Sequence, residues 1–151
     1  MGRVYVLRHA QAQSGLKDHS RELTQYGRLQ AQMMGQWLKL NLHNLDLAIV
    51  SSSRRTLQTF DGLDLGIDSV VDDRAYNADS NQLVQLVNEL GIGHESVLLV
   101  GHNPGVTDLV NQAGYPQALS PCSCVVLEFS GKGEEFNPEL CSVELWHQAR
   151  P

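Results

Sequence analysis

Three short polar clusters in the chain carry side chains that could do chemistry on an anion. They are Arg8-His9, the Ser-Ser-Ser-Arg-Arg segment 51–55, and Gly101-His102-Asn103. Arginine holds phosphate through planar, bidentate, charge-assisted bonds, and a neutral histidine can act as a nucleophile. Each cluster alone is an ordinary surface or capping sequence. Only their joint occurrence indicates a phosphate site.

The elements that must position these clusters are short apolar strands alternating with helical patterns, which is typical of an α/β fold. Each cluster directly follows one of the apolar runs, and ligands of α/β proteins bind beyond the carboxyl ends of the strands. Strands are predicted at 4–7, 45–50, 69–72, 97–100, 124–129 and 142–146, and helices at 24–40, 54–63, 80–90 and 104–112. The last two strands, with the turn 131–133 between them, are expected to pair antiparallel.

Apolar spacing predicts which helix faces are buried. In the first helix, which Thr24 can cap, the apolar residues step by three or four, so they are expected to face the core: Tyr26, Leu29, Met33, Trp37 and Leu40. Ser80 is predicted to cap the third helix. Pro104 stands where the fourth helix can begin, which would aim backbone N–H groups at an anion.

Composition bounds the class of protein. The 151 residues, 42% of them hydrophobic, fit one domain over 1–151 with one packed core. The net charge of -6 argues against a nucleic-acid partner. Apolar runs are too short for a membrane span or a signal sequence, so a cytoplasmic location is expected. Cys122 and Cys124 form a C-x-C pair, but buried thiols are favoured over a metal site because no second pair has suitable spacing.

Taken together, the motifs resemble those of the histidine phosphatase superfamily. Leu7-Arg8-His9-Ala10 is similar to its Arg-His-Gly/Ala signature, and Ser51, Arg55 and Thr59 are in register with its Ser-Pro-x-x-Arg-Ala-x-x-Thr segment. The segment 101–104 resembles the second-histidine motif. The segment 21–27 resembles the Arg-x-Leu-Thr-x-x-Gly pattern of the small SixA-type phosphohistidine phosphatases. The resemblance implies a phosphoglycerate mutase-like fold, a three-layer α/β/α sandwich with a mostly parallel sheet.

The resemblance also implies a role for individual residues. His9 would be the nucleophile, and Arg8, Arg55 and His102, the last one protonated, would surround the phosphoryl group. Arg21 would be a further phosphate ligand, and Asn103 lies in the same motif as His102. No metal or other cofactor is implied. Arg54 is out of register and is expected to be a rim or structural residue, although a shift of one residue would exchange its role with that of Arg55.

The sequence departs from the superfamily pattern in ways that bear on the substrate. Ser52 stands where proline is usual, and a general-acid glutamate has no clear counterpart. Asp72, Asp73 and Asp79 lie in the right third of the chain, but solvated loop carboxylates are the better interpretation. Without an acid, the site favours phosphohistidine on a protein as substrate, because imidazole leaves more easily than an alkoxide. A phosphatase acting on a small phosphorylated metabolite, or a non-catalytic phosphate-binding module, remains the alternative.

Overall fold

The computed structural model describes residues 2–42, 44–130 and 135–151. Six strands form one sheet in the order β3-β2-β4-β1-β5-β6. The strands are β1 (Gly2–Arg8), β2 (Leu45–Ser51), β3 (Asp68–Asp72), β4 (Ser96–Gly101), β5 (Ser123–Phe129) and β6 (Ser142–Gln148). β1 to β4 run parallel to one another, whereas β5 is antiparallel to both β1 and β6. The antiparallel pairing of the last two strands is confirmed, but the turn 131–133 lies outside the described residues.

Two helices cover each face of the sheet. They are α1 (Gln25–Leu40), α2 (Arg54–Leu63), α3 (Ser80–Leu90) and α4 (Gly105–Gln112). The apolar side chains of α1 and α2 pack in one core cluster, and those of α3 and α4 pack in a second cluster on the opposite face. The predicted α/β/α layering with a mostly parallel sheet is therefore confirmed. No helix in the described part of the chain is both long and apolar enough to cross a membrane.

The predicted core face of α1 was wrong for four of its five residues, whereas Trp37 does pack against the core. Leu29 is 47% exposed and Leu40 is 86% exposed, whereas the buried face carries smaller or less apolar residues, namely Gly27, Gln30, Ala31, Met34, Gly35 and Leu38. Added Cβ atoms at Gly27 and Gly35 would lie 2.1 Å from backbone oxygens of the loop after β1 and of the end of α2. The helix must therefore approach other backbone closely, and small residues decide which side it turns inward.

Two helices also differ from the prediction at their N-terminal ends, α3 in its capping residue and α4 in its first residue. Thr24 caps α1 as expected, but α3 is capped by Asp79, whose side chain accepts from Gln82 N in a capping box. The capping carboxylate explains why Ser80 becomes the first helical residue. Pro104 is the residue before α4, without a side-chain cap, and the helix ends at Gln112 as predicted.

The order of the strands fixes where the site can be. β2, β4 and β1 are neighbours in the middle of the sheet, and they are the three strands that end in the polar clusters. All three run parallel, so their carboxyl ends meet at one edge. The topology alone therefore brings His9, Arg55 and His102 to the same edge of the sheet.

Candidate active site

His9 is a buried titratable side chain at this edge. It follows the last residue of β1, is 7% exposed, and its Nδ1–H donates to the Ala10 carbonyl at 2.7 Å. Burial, with the nearby arginines 55, 8 and 21, lowers the pKa of His9 to about 4, although the bond to Ala10 acts in the opposite direction. At neutral pH the ring is therefore neutral, and its lone pair is on Nε2.

Arg55 lies in the first turn of α2 and connects the two histidines. Its Nε is 3.4 Å from His9 Nε2, and its NH2 donates to His102 Nδ1 at 3.2 Å. The side chain is only 7% exposed. Thr59, one turn further along α2, accepts from Ala10 N at 3.0 Å and donates to the Arg55 carbonyl. Thr59 therefore ties the end of β1 to the helix that carries Arg55.

His102 follows β4 and completes what we call the strand-end cluster, comprising His9, Arg55 and His102. The rings of the two histidines are 5.3 Å apart. Arg55 can only donate, so His102 Nδ1 accepts, and Nε2–H donates to Ser51 Oγ at 2.8 Å. Burial, followed by the effects of His9 and Arg55, lowers the pKa of His102 to about 3. His102 is therefore neutral in the site without a phosphoryl group, because burial and neighbouring cations disfavour the charge. Its expected protonation beside a phosphoryl group stays a prediction.

The Arg8 guanidinium contacts the loop between α4 and β5 through one nitrogen and has another that is unpaired in the described part of the chain. Its NH1 donates to the Leu119 carbonyl at 2.9 Å, and Nε is the buried side-chain nitrogen for which the described residues provide no partner. Asn103 donates to the same carbonyl at 3.0 Å and accepts from Thr107 Oγ1. Both ends of the Asn103 amide are thus engaged by protein groups, so its contacts here hold the loop at Leu119.

A second group of side chains, which we call the rim, lies beside the strand-end cluster on more exposed segments. It consists of Asp18, Arg21 and Tyr76. Asp18 accepts from Arg21 NH1 at 3.0 Å, from Arg55 NH2 at 3.1 Å and from the Tyr76 hydroxyl. Hydrogen bonds from these donors hold the pKa of the Asp18 carboxyl well below its usual range, and the bond from the Tyr76 hydroxyl has the largest effect. Arg21 also donates through Nε to the Gln13 carbonyl at 2.6 Å.

Sequence reasoning placed Arg21 near the site but missed Asp18 and Tyr76. The spacing of Asp18 and Arg21 by three residues is a signal for an ion pair, and it could have identified the carboxylate. Tyr76 has no comparable signal: only the fold brings it edge-on to His102, with ring centroids 5.6 Å apart. Arg54 lies outside this network, and its NH1 is 3.5 Å from a Glu22 carboxylate oxygen.

The three candidate acids have different surroundings. Asp72 accepts from the backbone and guanidinium of Arg74, and Asp79 caps α3, so both serve local structure. Asp73 is 87% exposed and accepts from Ser52 Oγ, which is also 3.0 Å from His19 Nε2. Ser52, the departure from the usual proline, therefore participates in a polar contact at the mouth of the site.

The cysteines are free thiols, and the backbone N–H of Cys122 donates to the His9 carbonyl at 2.9 Å. Cys122 and Cys124 are both buried, and burial raises the pKa of Cys122 to about 12 and that of Cys124 further. Neither is a ready nucleophile at neutral pH. Within residues 2–42, 44–130 and 135–151, no three His, Cys, Asp or Glu side chains are grouped so that they could hold a metal ion.

The family is established by sequence comparison. The profile described as histidine phosphatase superfamily (branch 1) matches residues 4–79, which is half of the chain and runs from within β1 to the residue before α3. The chain belongs to this superfamily, and it has the phosphoglycerate mutase-like α/β fold.

The chain is also similar to individual proteins in sequence or in structure. A Haemophilus influenzae protein described as a phosphohistidine phosphatase SixA homolog is 28% identical, over 98% of this chain and 96% of its own length. An uncharacterised Mycobacterium tuberculosis protein is 30% identical, over 68% of this chain and 66% of its own length, just under two thirds. The solved structure of the protein histidine phosphatase SixA complexed with tungstate shares the fold, with a TM-score of 0.82 over 97% of each chain at 22% identity.

Proposed function

We propose that this protein is a phosphatase that removes the phosphoryl group from phosphohistidine on a protein, through a covalent phosphohistidine formed on His9. The observation that carries the proposal is the protonation state and orientation of the His9 ring. Its ring is buried and neutral, its Nδ1–H is fixed on Ala10, and the lone pair on Nε2 lies 3.4 Å from Arg55 Nε. A nucleophile with a fixed lone pair beside a cation is suited to attack a phosphorus atom.

In the first step, Nε2 of His9 forms a bond to phosphorus while the bond from phosphorus to the leaving nitrogen breaks, and its electron pair departs with the leaving group. Arg55 and the buried Nε of Arg8 would stabilise the charge on the equatorial oxygens. Water then attacks phosphorus, which regenerates His9 and yields inorganic phosphate. The cationic side chains neutralise the phosphoryl charge, so the proposed reaction requires no metal.

His102 would change its protonation state during this reaction. Its Nδ1 faces Arg55 NH2 and its Nε2–H is held by Ser51. A dianionic phosphoryl group placed beside the ring would raise the pKa of His102, because a nearby opposite charge favours the charged form. We therefore propose that His102 gains a proton on Nδ1 when phosphate binds and then donates to a phosphoryl oxygen.

Two features of the site favour phosphohistidine over a sugar phosphate. Asp72 and Asp79 are engaged in local caps, and Asp18 is held ionised by its partners. Asp73 is 87% exposed and accepts from Ser52 Oγ, so none of these carboxylates is placed as a sheltered proton donor. Imidazole leaves from a nitrogen–phosphorus bond more easily than an alkoxide leaves from an ester. In addition, residues 64–79 between α2 and α3 form only β3 and one short helical turn, which leaves the mouth open to a protein side chain.

The experiment is a comparison of kcat/KM on a phosphohistidine peptide, the same peptide with phosphoserine, and small phosphate esters, each with and without a chelator. We expect the highest value on the phosphohistidine peptide and no effect of the chelator. A higher value on a small ester would support the metabolite phosphatase instead. Phosphate binding without turnover of any of these compounds would support the non-catalytic module, and activity restored by added metal would contradict the proposed mechanism.

A further inference from the structure

The Asp18 carboxylate contacts the same guanidinium groups that the proposed reaction needs for its phosphoryl group. Its two oxygens accept from Arg21 NH1 at 3.0 Å, from Arg55 NH2 at 3.1 Å, and from the Tyr76 hydroxyl. Arg55 NH2 is also the donor that faces His102 Nδ1. The carboxylate therefore lies on the reaction side of Arg55, next to the strand-end cluster.

A carboxylate and a phosphoryl group are alternative acceptors for these donors. Both prefer the planar, charge-assisted geometry of a guanidinium group. They also repel each other, since a carboxylate carries one negative charge and a phosphate monoester or inorganic phosphate up to two. An oxyanion that engages Arg55 NH2 and Arg21 NH1 must therefore displace the carboxylate or bind against its charge.

We propose that Asp18 is an internal anion that competes with phosphate for Arg55 and Arg21, and that it thereby speeds the release of inorganic phosphate after each turnover. The competition concerns binding alone and does not depend on which substrate the protein uses. Only the effect on turnover rests on the proposed function.

The backbone around Asp18 allows such an exchange without disturbing Arg55. The Asp18 main-chain carbonyl accepts from Arg55 NH1 at 2.7 Å, and Arg55 Nε is held near His9. The Asp18 side chain is 50% exposed, whereas that of Arg55 is 7% exposed. The carboxylate can therefore rotate toward solvent while the carbonyl keeps the guanidinium in place. Asp18 thus positions Arg55 through its main-chain carbonyl, while its carboxylate can be displaced from the guanidinium groups by the ligand.

The test is the affinity of the full chain for inorganic phosphate, measured by calorimetry on the wild type, Asp18→Asn and Asp18→Ala. Both variants should bind phosphate more tightly, by about tenfold, because a negative charge within a few ångströms of the ligand is removed. The alanine variant is included because an asparagine amide could itself donate to phosphate. The main-chain carbonyl on Arg55 is intact in both.

Asp64→Asn is the matched control for the loss of one charge. Asp64 lies at the end of α2 with φ 51, a conformation that asparagine tolerates, and its carboxylate is 3.9 Å from Lys39 Nζ. Its phosphate affinity should equal that of the wild type, and thermal melting of all variants checks that they are folded.

Unchanged or weaker phosphate binding in Asp18→Ala would overturn the proposal, because it would mean that the carboxylate only holds the arginines. Tighter binding in Asp18→Asn alone would also overturn it. With a substrate that is turned over, both variants should show a lower kcat and stronger inhibition by phosphate. Tighter phosphate binding in a protein that hydrolyses no phosphorylated compound would refute the proposed function while leaving the competition by Asp18 established.

Discussion

The strand-end cluster and the rim surround the same space but are built in different ways. His9, Arg55 and His102 are attached to strand ends or the first turn of a helix, and burial is the main cause of the lowered pKa of both histidines. Asp18 and Arg21 lie on the loop between β1 and α1, and hydrogen bonds from charged and hydroxyl groups are the main cause of the lowered pKa of Asp18. The protonation state of the titratable groups is thus determined mainly by burial in the strand-end cluster and by hydrogen bonds between side chains in the rim.

This difference leads to an expectation about kinetics. A buried and fixed group acts mainly on the transition state, so its loss should lower kcat. Arg21 is more exposed and paired, and solvent and its partners already screen its charge, so its loss should act mainly on KM. Asp18 is the exception in the rim, because its proposed effect on phosphate release would appear in kcat. The predictions below test this division, from the largest expected effect to the smallest.

His9→Asn should abolish turnover and the covalent phosphoenzyme together. The amide is close to imidazole in size, but it lacks a nucleophilic nitrogen at the position of Nε2. The measurement is a single-turnover assay with labelled phosphate, in which the wild type retains label through denaturation at alkaline pH. Residual activity comparable to that of the wild type would remove His9 as the nucleophile.

Arg55→Lys should lower kcat/KM by roughly 100-fold or more, with most of the change in kcat. Lysine retains the charge but cannot donate at once toward His9, His102 and Asp18 as the planar guanidinium does. Arg54→Lys is the matched control, since Arg54 is the preceding residue and pairs with Glu22 outside the site. Equal effects of the two substitutions would contradict the assignment of Arg55.

Sequence reasoning found the strand-end cluster because two strong local signals coincide there. Short apolar runs identify parallel strands, and polar residues directly after such strands must meet at one edge. Neither signal depends on long-range packing. The roles of Ser51 and Thr59, by contrast, became apparent only from their contacts with His102 and Ala10.

The inward face of α1 and the rim could not be predicted in the same way. Apolar periodicity assigned Leu29 and Leu40 to the core, but the close backbone approach at Gly35 decides the orientation of the helix. That approach depends on where α2 ends, which is information from another part of the chain. The contact of Tyr76 with Asp18 joins residues 58 positions apart, so local spacing carries no trace of it.

Acid should destabilise the fold through the strand-end cluster before it affects the rim. The pKa of His9 is about 4 in the folded protein against an ordinary 6.5. Between pH 6.5 and about pH 4, His9 is therefore protonated in the unfolded chain but neutral in the folded protein. The free energy of unfolding consequently falls as the pH decreases through this range. His9 alone should contribute a loss of about 3 kcal/mol by pH 4.

Urea unfolding of the wild type and His9→Asn between pH 7 and pH 4 measures this effect. The variant should show a shallower decline, because one of the two histidines of the strand-end cluster no longer takes part. The rim responds in a lower window: the stability that ionised Asp18 contributes is lost only below its ordinary pKa of 3.8. Identical pH dependence in the two proteins would contradict the lowered pKa of His9.

The smallest effect is expected for Arg21→Gln. The Arg21 side chain is 28% exposed, and it donates to Asp18 and to the Gln13 carbonyl. Loss of a hydrogen bond to a charged group amounts to about 1.5–3 kcal/mol when the group is well sheltered, and exposure lowers that value. We therefore expect KM to rise about tenfold and kcat to change by a small factor, as measured by steady-state kinetics on the phosphohistidine peptide. A large fall in kcat with unchanged KM would place Arg21 among the groups that stabilise the transition state, and the division between the two regions would no longer hold.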